Sequence, residues 1–268
     1  VIEVSSEGIK QFRHKFIRFE ACVFTNLSPE HIESHGNFEN YRQAKAIFFK
    51  ENPCLHILNK DDENFEYFRQ IGSEKKAFFS PKEEDALIPF NITGFNRANA
   101  LAALKTAVCL GIPQDICSKA LEKIEGVEGR LQILTEDPFT VVIDYAHTPQ
   151  QLKNIYQVFG DRRKICVLGS CGGGRDKWKR PVMGKIAGEN CAKVIVTNED
   201  PYDENPLEII DQVATGFPSA EKIFDRRKAI RKALEEAREG DVVVITGKGS
   251  EPFMRVKGGR KIDRKSVV

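Results

Sequence analysis

The sequence predicts an α/β protein built from two domains. Three observations carry that expectation: short β-branched runs alternate with helical patterns, the chain is 268 residues long, and Gly and Pro gather between two such alternations. A chain of this length buries a real core as one large or two ordinary domains, and two is the reading adopted. The alternation itself is that of βαβ units around a largely parallel sheet.

Residues 1–4, Val-Ile-Glu-Val, read as a strand already under way in a chain without an initiator Met, so upstream sequence is expected in the natural protein. Further strands are expected at 21–25, 55–59, 140–144, 164–169, 193–197 and 242–246. Helices are expected at 38–50, 97–110, 150–159, 182–191, 206–213 and 226–237, where apolar residues recur three and four apart. Residues 61–89 mix charge, short apolar pieces and Pro without periodicity, and read as a loop-rich insertion or a shortened sheet extension. Gly126, Gly129 and Asp137-Pro138 mark the boundary, which gives domains at 1–128 and 129–268.

Lys plus Arg number 41 and Asp plus Glu 39, so a net charge of +2 offers no case for a nucleic-acid partner. The seven cysteines (Cys22, Cys54, Cys109, Cys117, Cys166, Cys171, Cys191) form no CxxC pair and no zinc spacing, and read as reduced cytosolic thiols. No apolar run approaches the ~20 residues that span a bilayer, and no signal-peptide pattern opens the chain. A cytoplasmic protein without a membrane partner is expected.

In open α/β sheets ligands bind at the carboxyl ends of strands, so segments following predicted strands are weighed for chemistry. Glu3-Val4-Ser5-Ser6 sits at such an end and suits a metal or substrate; a strand followed by a solvated turn explains it equally. After the next strand, His31 and His35 lie four apart with a carboxylate between them, in keeping with a metal or phosphate role or with two structural histidines. Lys45 follows on a helix, where an exposed lysine is the ordinary expectation.

Four segments of the second domain share one position. Asp144 and His147 leave a strand just before Thr148-Pro149, a helix N-cap followed by Pro at N1, and suit a nucleotide ribose and phosphate. Residues 169–174 contain four glycines ahead of Arg175 and Lys177, which lets backbone approach a ligand beside anion-binding charge; the spacing is neither GxGxxG nor a Walker loop. Residues 197–204 and 246–251 follow the last two strands. Four loops should therefore converge and hold an amino acid by both ends, with Arg175 on its carboxylate and Glu199, Asp200 or Glu251 on its ammonium groups.

Taken in order, EVSS with a Gly two residues on, TNLSPEHIESHG, AK at 44–45, GFNRANALAA, GVEGR, DYAHTP, GGGRDKWKRPVMG, EDPYDENP and GKGSE resemble the Mur ligases over nearly the whole chain. Within them the set is most similar to the branch that adds the third amino acid of the peptidoglycan stem peptide. The resemblance implies a central, P-loop-type mononucleotide-binding ATPase domain at 1–128, incomplete, and a C-terminal Rossmann-like Mur ligase domain at 129–268. In such enzymes the domains close around ATP and substrates, ATP phosphorylates a carboxylate of UDP-N-acetylmuramoyl-L-Ala-D-Glu, and a free amino acid attacks the acyl phosphate.

By matching position, the resemblance implies that Glu3 and His31 hold Mg2+ and that Lys45 is carbamylated and, with His147, catalytic. Ser5, Gln11 and Arg13 match contacts to the UDP-muramoyl peptide. Asn96 and Asn99 match those facing adenine, while Arg130, Asp144 and His147 match other ATP contacts. Arg175, Glu199, Asp200, Pro201, Tyr202, Gly247 and Glu251 match the pocket of the incoming amino acid. A monomer serving peptidoglycan synthesis, and through it cell shape and division, is the implied setting.

Three departures bear on that reading. Glu199-Asp200-Pro201-Tyr202 stands where the diaminopimelate-adding form carries Asp-Asn-Pro-Arg, so lysine or another amino acid enters the candidate list. Ser250 replaces a His before the final Glu, and Glu30 an Asp before the metal-binding His. Residues 59–96 are shorter than the family's stretch, and its Lys-containing phosphate loop and UDP-binding domain are expected upstream of residue 1, so residues 1–268 alone are expected to be a poor ligase. The rivals are another Mur-type ligase (terminal-dipeptide-adding, folylpolyglutamate or cyanophycin synthetase) and a non-catalytic binding module of the same fold.

Overall fold

The computed structural model describes residues 1–83, 88, 94–259 and 261–263. Its chain forms two compact units, Val1–Glu125 and Gly126–Val268.

The first unit runs α1 (Ser6–Lys10), β1 (Ala21–Phe24), α2 (Ile32–His35), α3 (Phe38–Glu51), β2 (Leu55–Asn59), α4 (Phe65–Arg69), β3 (Lys75–Phe79), α5 (Gly94–Cys109) and α6 (Gln114–Glu122). The three strands make one parallel sheet in the order β1-β2-β3, with Ala21 opposite Leu55 and Leu55 opposite Lys75. Side chains alternate across a strand, so β2 feeds two cores. Leu58 joins Cys22, Phe24, Phe48, Phe49 and Phe68 on one face, and Leu55 and Ile57 join Leu101, Leu104 and Leu121 from α5 and α6 on the other.

Residues 1–4 are not a strand. They run without regular structure into α1, with Val1 and Ile2 exposed, because a strand exists only by pairing and no ladder partner reaches them among the described residues. Of the two readings of residues 61–89, the shortened sheet extension fits the described residues 61–83, which hold α4 and the edge strand β3. The period was hidden because β3 is an edge strand on which only Phe79 is buried.

The second unit runs β4 (Gln132–Thr135), β5 (Thr140–Ile143), α7 (Pro149–Val158), β6 (Lys164–Leu168), α8 (Lys179–Asn190), β7 (Lys193–Val196), α9 (Pro206–Ala214), β8 (Glu221–Lys222), α10 (Arg226–Glu235), β9 (Val242–Ile245), β10 (Phe253–Arg255) and β11 (Lys261–Asp263). Six strands form a sheet in the order β4-β5-β9-β6-β7-β8, parallel apart from the antiparallel edge strand β4; β10 and β11 pair as a separate hairpin. The central strands β6 and β9 are buried along their whole length, as their unbroken apolar runs require. Ile165, Val167, Ile195, Val243 and Ile245 pack on Ala229, Ile230 and Ala233 of α10. Thr148 caps α7 by accepting from the Gln151 N–H, with Pro149 at its first turn as expected.

Each expected strand of this unit ends one residue earlier than the sequence suggested, and the residues released are Asp144, Gly169, Thr197 and Thr246. All four stand at the same carboxyl edge. β4 and β8 escape the sequence pattern because their residues are exposed or half-buried and carry no alternation.

Candidate functional site

In the first unit Glu3, Glu30, Tyr41 and the Val4 carbonyl stand around Lys45. α3 brings its ammonium 3.5 Å from the Val4 carbonyl and 6.0 Å from the Tyr41 ring centre. The side chain is half-buried, against the expectation of an exposed helical lysine. Burial lowers its pKa from the ordinary lysine value, and the carboxylates of Glu3 and Glu30 work in the other direction.

His31 precedes α2 in the left-handed region, with φ 56°, and its Nε2 lies 3.9 Å from Glu30 Oε1. His35 is buried instead, 3.1 Å from Ser6 Oγ and 3.4 Å from Glu7, and it stitches α2 to α1. The two histidines of the motif therefore have different neighbours, and His31 is the one beside the acidic residue next to Lys45. Ser5 caps α1 by accepting from the Gly8 N–H at 3.0 Å. Gln11 and Arg13 follow in the exposed turns after α1, with no side-chain hydrogen bond among the described residues. Asn96 and Asn99 share one face of α5, the first half-buried and the second exposed.

Among the described residues no group of three His, Cys, Asp or Glu side chains is gathered for a metal. Mg2+ is commonly held by one or two protein groups, substrate phosphates and waters. Exposed Glu3 and half-buried His31 are donors of that open kind.

In the second unit the four loops do converge, and they are tied together. The carboxylate of Asp144 accepts the Leu131 and Ala146 N–H groups, each at 2.7 Å, while its own carbonyl accepts from Gly247 N–H. Burial raises the Asp144 pKa, opposed by those two amides and by the charges of Arg130 and His147. The Arg130 guanidinium lies 4.1 Å from the Tyr145 ring centre. His147 Nδ1 is 2.9 Å from the Tyr145 carbonyl, and the carbonyl of His147 accepts from Lys179 Nζ at 3.0 Å.

Around the glycine-rich loop, the Arg175 guanidinium lies 4.8 Å from the Tyr202 ring centre and donates to its hydroxyl at 3.2 Å. Gly172 and Gly173 permit this closeness, because a Cβ on either would collide with the Pro201 carbonyl or the Tyr202 ring. Glu199 is 1% exposed; Cys171 donates to its Oε1 at 3.4 Å, and its Oε2 is buried without a hydrogen-bond partner among the described residues. Gly247, with φ 101°, lies so near that a Cβ there would collide with the Glu199 carboxylate.

Asp200 and Glu251 are occupied differently from the sequence expectation. Asp200 accepts from Lys248 Nζ at 2.7 Å and from Arg255 N–H at 2.8 Å; Glu251 accepts from Lys248 Nζ at 2.6 Å and from the Tyr145 hydroxyl at 2.9 Å. Burial alone depresses the Lys248 pKa, but the two carboxylates outweigh it and hold the ammonium above its ordinary value. Lys248, Tyr145, Lys179 and Arg180 are the participants that sequence reading passed over. Arg180 is fully buried and donates to the Cys171 carbonyl at 3.0 Å. All four lie inside the DYAHTP, GGGRDKWKRPVMG and GKGSE segments, and their pairing in space marks them out.

Two family models match the chain, the Mur ligase middle domain over residues 1–101 and the Mur ligase, glutamate ligase domain over residues 129–249. The chain belongs to the Mur ligase family. It is 38% identical to the UDP-N-acetylmuramoyl-L-alanyl-D-glutamate–2,6-diaminopimelate ligase of Syntrophomonas wolfei, over 96% of this chain and 60% of that protein. The like-named protein of Aquifex aeolicus is 37% identical over 96% of the chain and 59% of its own length. A solved structure of such a ligase matches at 28% identity with a TM-score of 0.53, covering 97% of this chain and 61% of the other. The chain thus spans about 60% of the length of the curated Mur ligases it matches.

Proposed function

We propose that this chain supplies the chemical centre of an ATP-dependent ligase that joins the third amino acid to UDP-N-acetylmuramoyl-L-Ala-D-Glu through an acyl phosphate. The observation that carries the reading is the convergence of Asp144, Arg175, Glu199 and Glu251 on one sheet edge, in a Mur ligase 38% identical to a protein bearing that activity in its name. A carboxylate is a poor electrophile until its oxygen becomes a leaving group, so phosphorylation by ATP precedes attack by the amine and release of phosphate.

Glu3 and His31 are proposed to hold Mg2+, which when bound neutralises phosphate charge. Lys45, with its pKa lowered by burial, has an amine suited to combine with carbon dioxide as a carbamate, losing a proton and becoming an anion. Ser5, Gln11 and Arg13 are proposed to bind the UDP-muramoyl peptide, Asn96 and Asn99 adenine, and Arg130, Asp144 and His147 the rest of the nucleotide. Pro201, Tyr202 and Gly247 would shape the amino-acid pocket. Arg175 would take the amino acid's carboxylate and the unpartnered oxygen of Glu199 its ammonium, while Asp200, with both oxygens already engaged, acts as support. Tyr202 offers a ring and a hydroxyl to Arg175 and no second cation, so an amino acid with one carboxylate is the proposed substrate.

The test is phosphate release from ATP by the full-length protein. Release is expected only when UDP-muramoyl-dipeptide and an amino acid are both present, and a panel should rank lysine above meso-diaminopimelate. If no amino acid supports release, the ligase reading fails; a preference for diaminopimelate would overturn the role given to Tyr202.

A further inference from the structure

Lys248 stands between Gly247 and Gly249 just beyond β9, 5% exposed. Its ammonium is shared between Asp200, in the loop after β7, and Glu251, in its own loop. From Glu251 the connection runs on through the Tyr145 hydroxyl, in the loop after β5, to the guanidinium of Arg130 over the same ring. From Asp200 it runs the other way: the backbone carbonyl of Asp200 accepts from Gly172 N–H at 2.9 Å, in the glycine-rich loop after β6. One buried cation therefore joins the loops of four adjacent parallel strands. Without it, Asp200 and Glu251 would be two carboxylates facing each other, with only the weaker field of Arg255 on Glu251 to offset their charge, an arrangement a protein interior disfavours.

We propose that Lys248 is a positioning residue that couples the amino-acid end of this site to its nucleotide end, by fixing Asp200 and Glu251 at one separation. The inference rests on the roles proposed above for Arg130 at the nucleotide and for Arg175, Glu199 and Glu251 at the amino acid. It goes beyond them because Lys248 touches neither ligand in that scheme and acts through the loops that do. Coupling between two ligands through a shared rigid element is reciprocal, so loss of the ammonium should weaken both.

The experiment measures steady-state phosphate release by the full-length protein and three variants, Lys248→Met, Lys248→Arg and Tyr145→Phe. In Lys248→Met the KM values for the amino acid and for ATP should rise together, the former by about tenfold or more because a buried charge pair has lost one partner. The KM for UDP-muramoyl-dipeptide, whose proposed contacts are all residues of the first unit and none of these four loops, should stay within about twofold, as expected where two sets of residues share no partner. Lys248→Arg should recover part of both losses. Tyr145→Phe, which keeps every charge, should raise the same two KM values by a smaller factor, and its effect should be less than multiplicative with that of Lys248→Met. If Lys248→Met does not fold, the same paired rise in Tyr145→Phe carries the test. A fall in kcat and in unfolding temperature with all three KM values unchanged, or fully multiplicative effects of the two substitutions, would overturn the proposal. Absence of amino-acid-dependent release by the unsubstituted protein would sink the ligase reading instead, so the two failures are distinguishable.

Discussion

The candidate residues of the second unit are tied to one another, while those of the first are held by backbone or stand open. Lys248, Asp200, Glu251 and Tyr145 satisfy one another at 2.6–2.9 Å around one sheet edge, and the Asp144 carboxylate there accepts two backbone N–H groups at 2.7 Å. Glu3, Gln11, Arg13 and Asn99 are exposed, and the Lys45 ammonium has one carbonyl at 3.5 Å. A site satisfied in advance holds its ligand-facing groups at no further ordering cost, whereas open donors acquire their geometry when phosphates and a metal arrive. In the proposed ligase the first arrangement would be a preorganised half and the second a half completed by its ligands.

The largest effect that would sharpen this comparison is expected at Lys45. Lys45→Ala should lower turnover on the order of 100-fold or more, as loss of an electrostatic group at the reacting centre does. Bicarbonate should not restore it, because the amine is gone, and a short carboxylic acid should restore it in part. Its thermal unfolding midpoint should not fall, since no network depends on that ammonium; a midpoint drop as large as that of Lys248→Met would erase the distinction between the halves. Activity equal to the unsubstituted protein would remove the carbamate role.

A middle-sized effect is expected from Tyr202→Arg. In a preorganised pocket one added cation should change selectivity without general damage, shifting the ratio of kcat/KM toward diaminopimelate over lysine by about fivefold, the upper end of what one largely exposed ion pair is worth. Loss of turnover with every amino acid would show that the loop around Tyr202, whose φ is 54°, tolerates no change.

The smallest effect concerns acid. His56 is fully buried in the first unit, and its Nε2 is 2.8 Å from the Asn52 carbonyl. Burial lowers its pKa below the ordinary histidine value, ahead of the opposing backbone hydrogen bonds. A base with a depressed folded pKa leaves the unfolded chain binding more protons, so its contribution to stability is lost as pH falls below the unfolded value. The slope is at most about 1.4 kcal/mol per pH unit for one group. Asp144 of the second unit has the opposite sign, because its raised pKa favours the folded state on acidification. Hydrogen exchange between pH 7 and pH 5 should therefore show the first unit loosening before the second; the reverse order would break the comparison.

Much of the fold was legible because its central strands are apolar runs and its helices amphipathic. β2 was located to the residue, and the strands of the second unit to within one. Thr148 and Pro149 announced the start of α7 by cap chemistry alone. β3, β4 and β8 were not legible, since edge strands bury few residues and leave no period. Residues 1–4 had strand composition without a strand partner. In the site, the convergence of four loops followed from parallel topology, but the separate fates of His31 and His35 did not.

The sequence by itself determined the βα alternation, the carboxyl edge on which the chemistry-bearing loops gather, and the residue types those loops carry. These are local properties, written in spacing along the chain. Only the tertiary structure decided which charges are already spent and which are free. Asp200 and Lys248 lie 48 residues apart in sequence and 2.7 Å apart in space, while Glu199, beside Asp200 in the chain, keeps one buried oxygen unpartnered among the described residues. Burial and pairing are through-space quantities, and no reading of neighbours along the chain contains them.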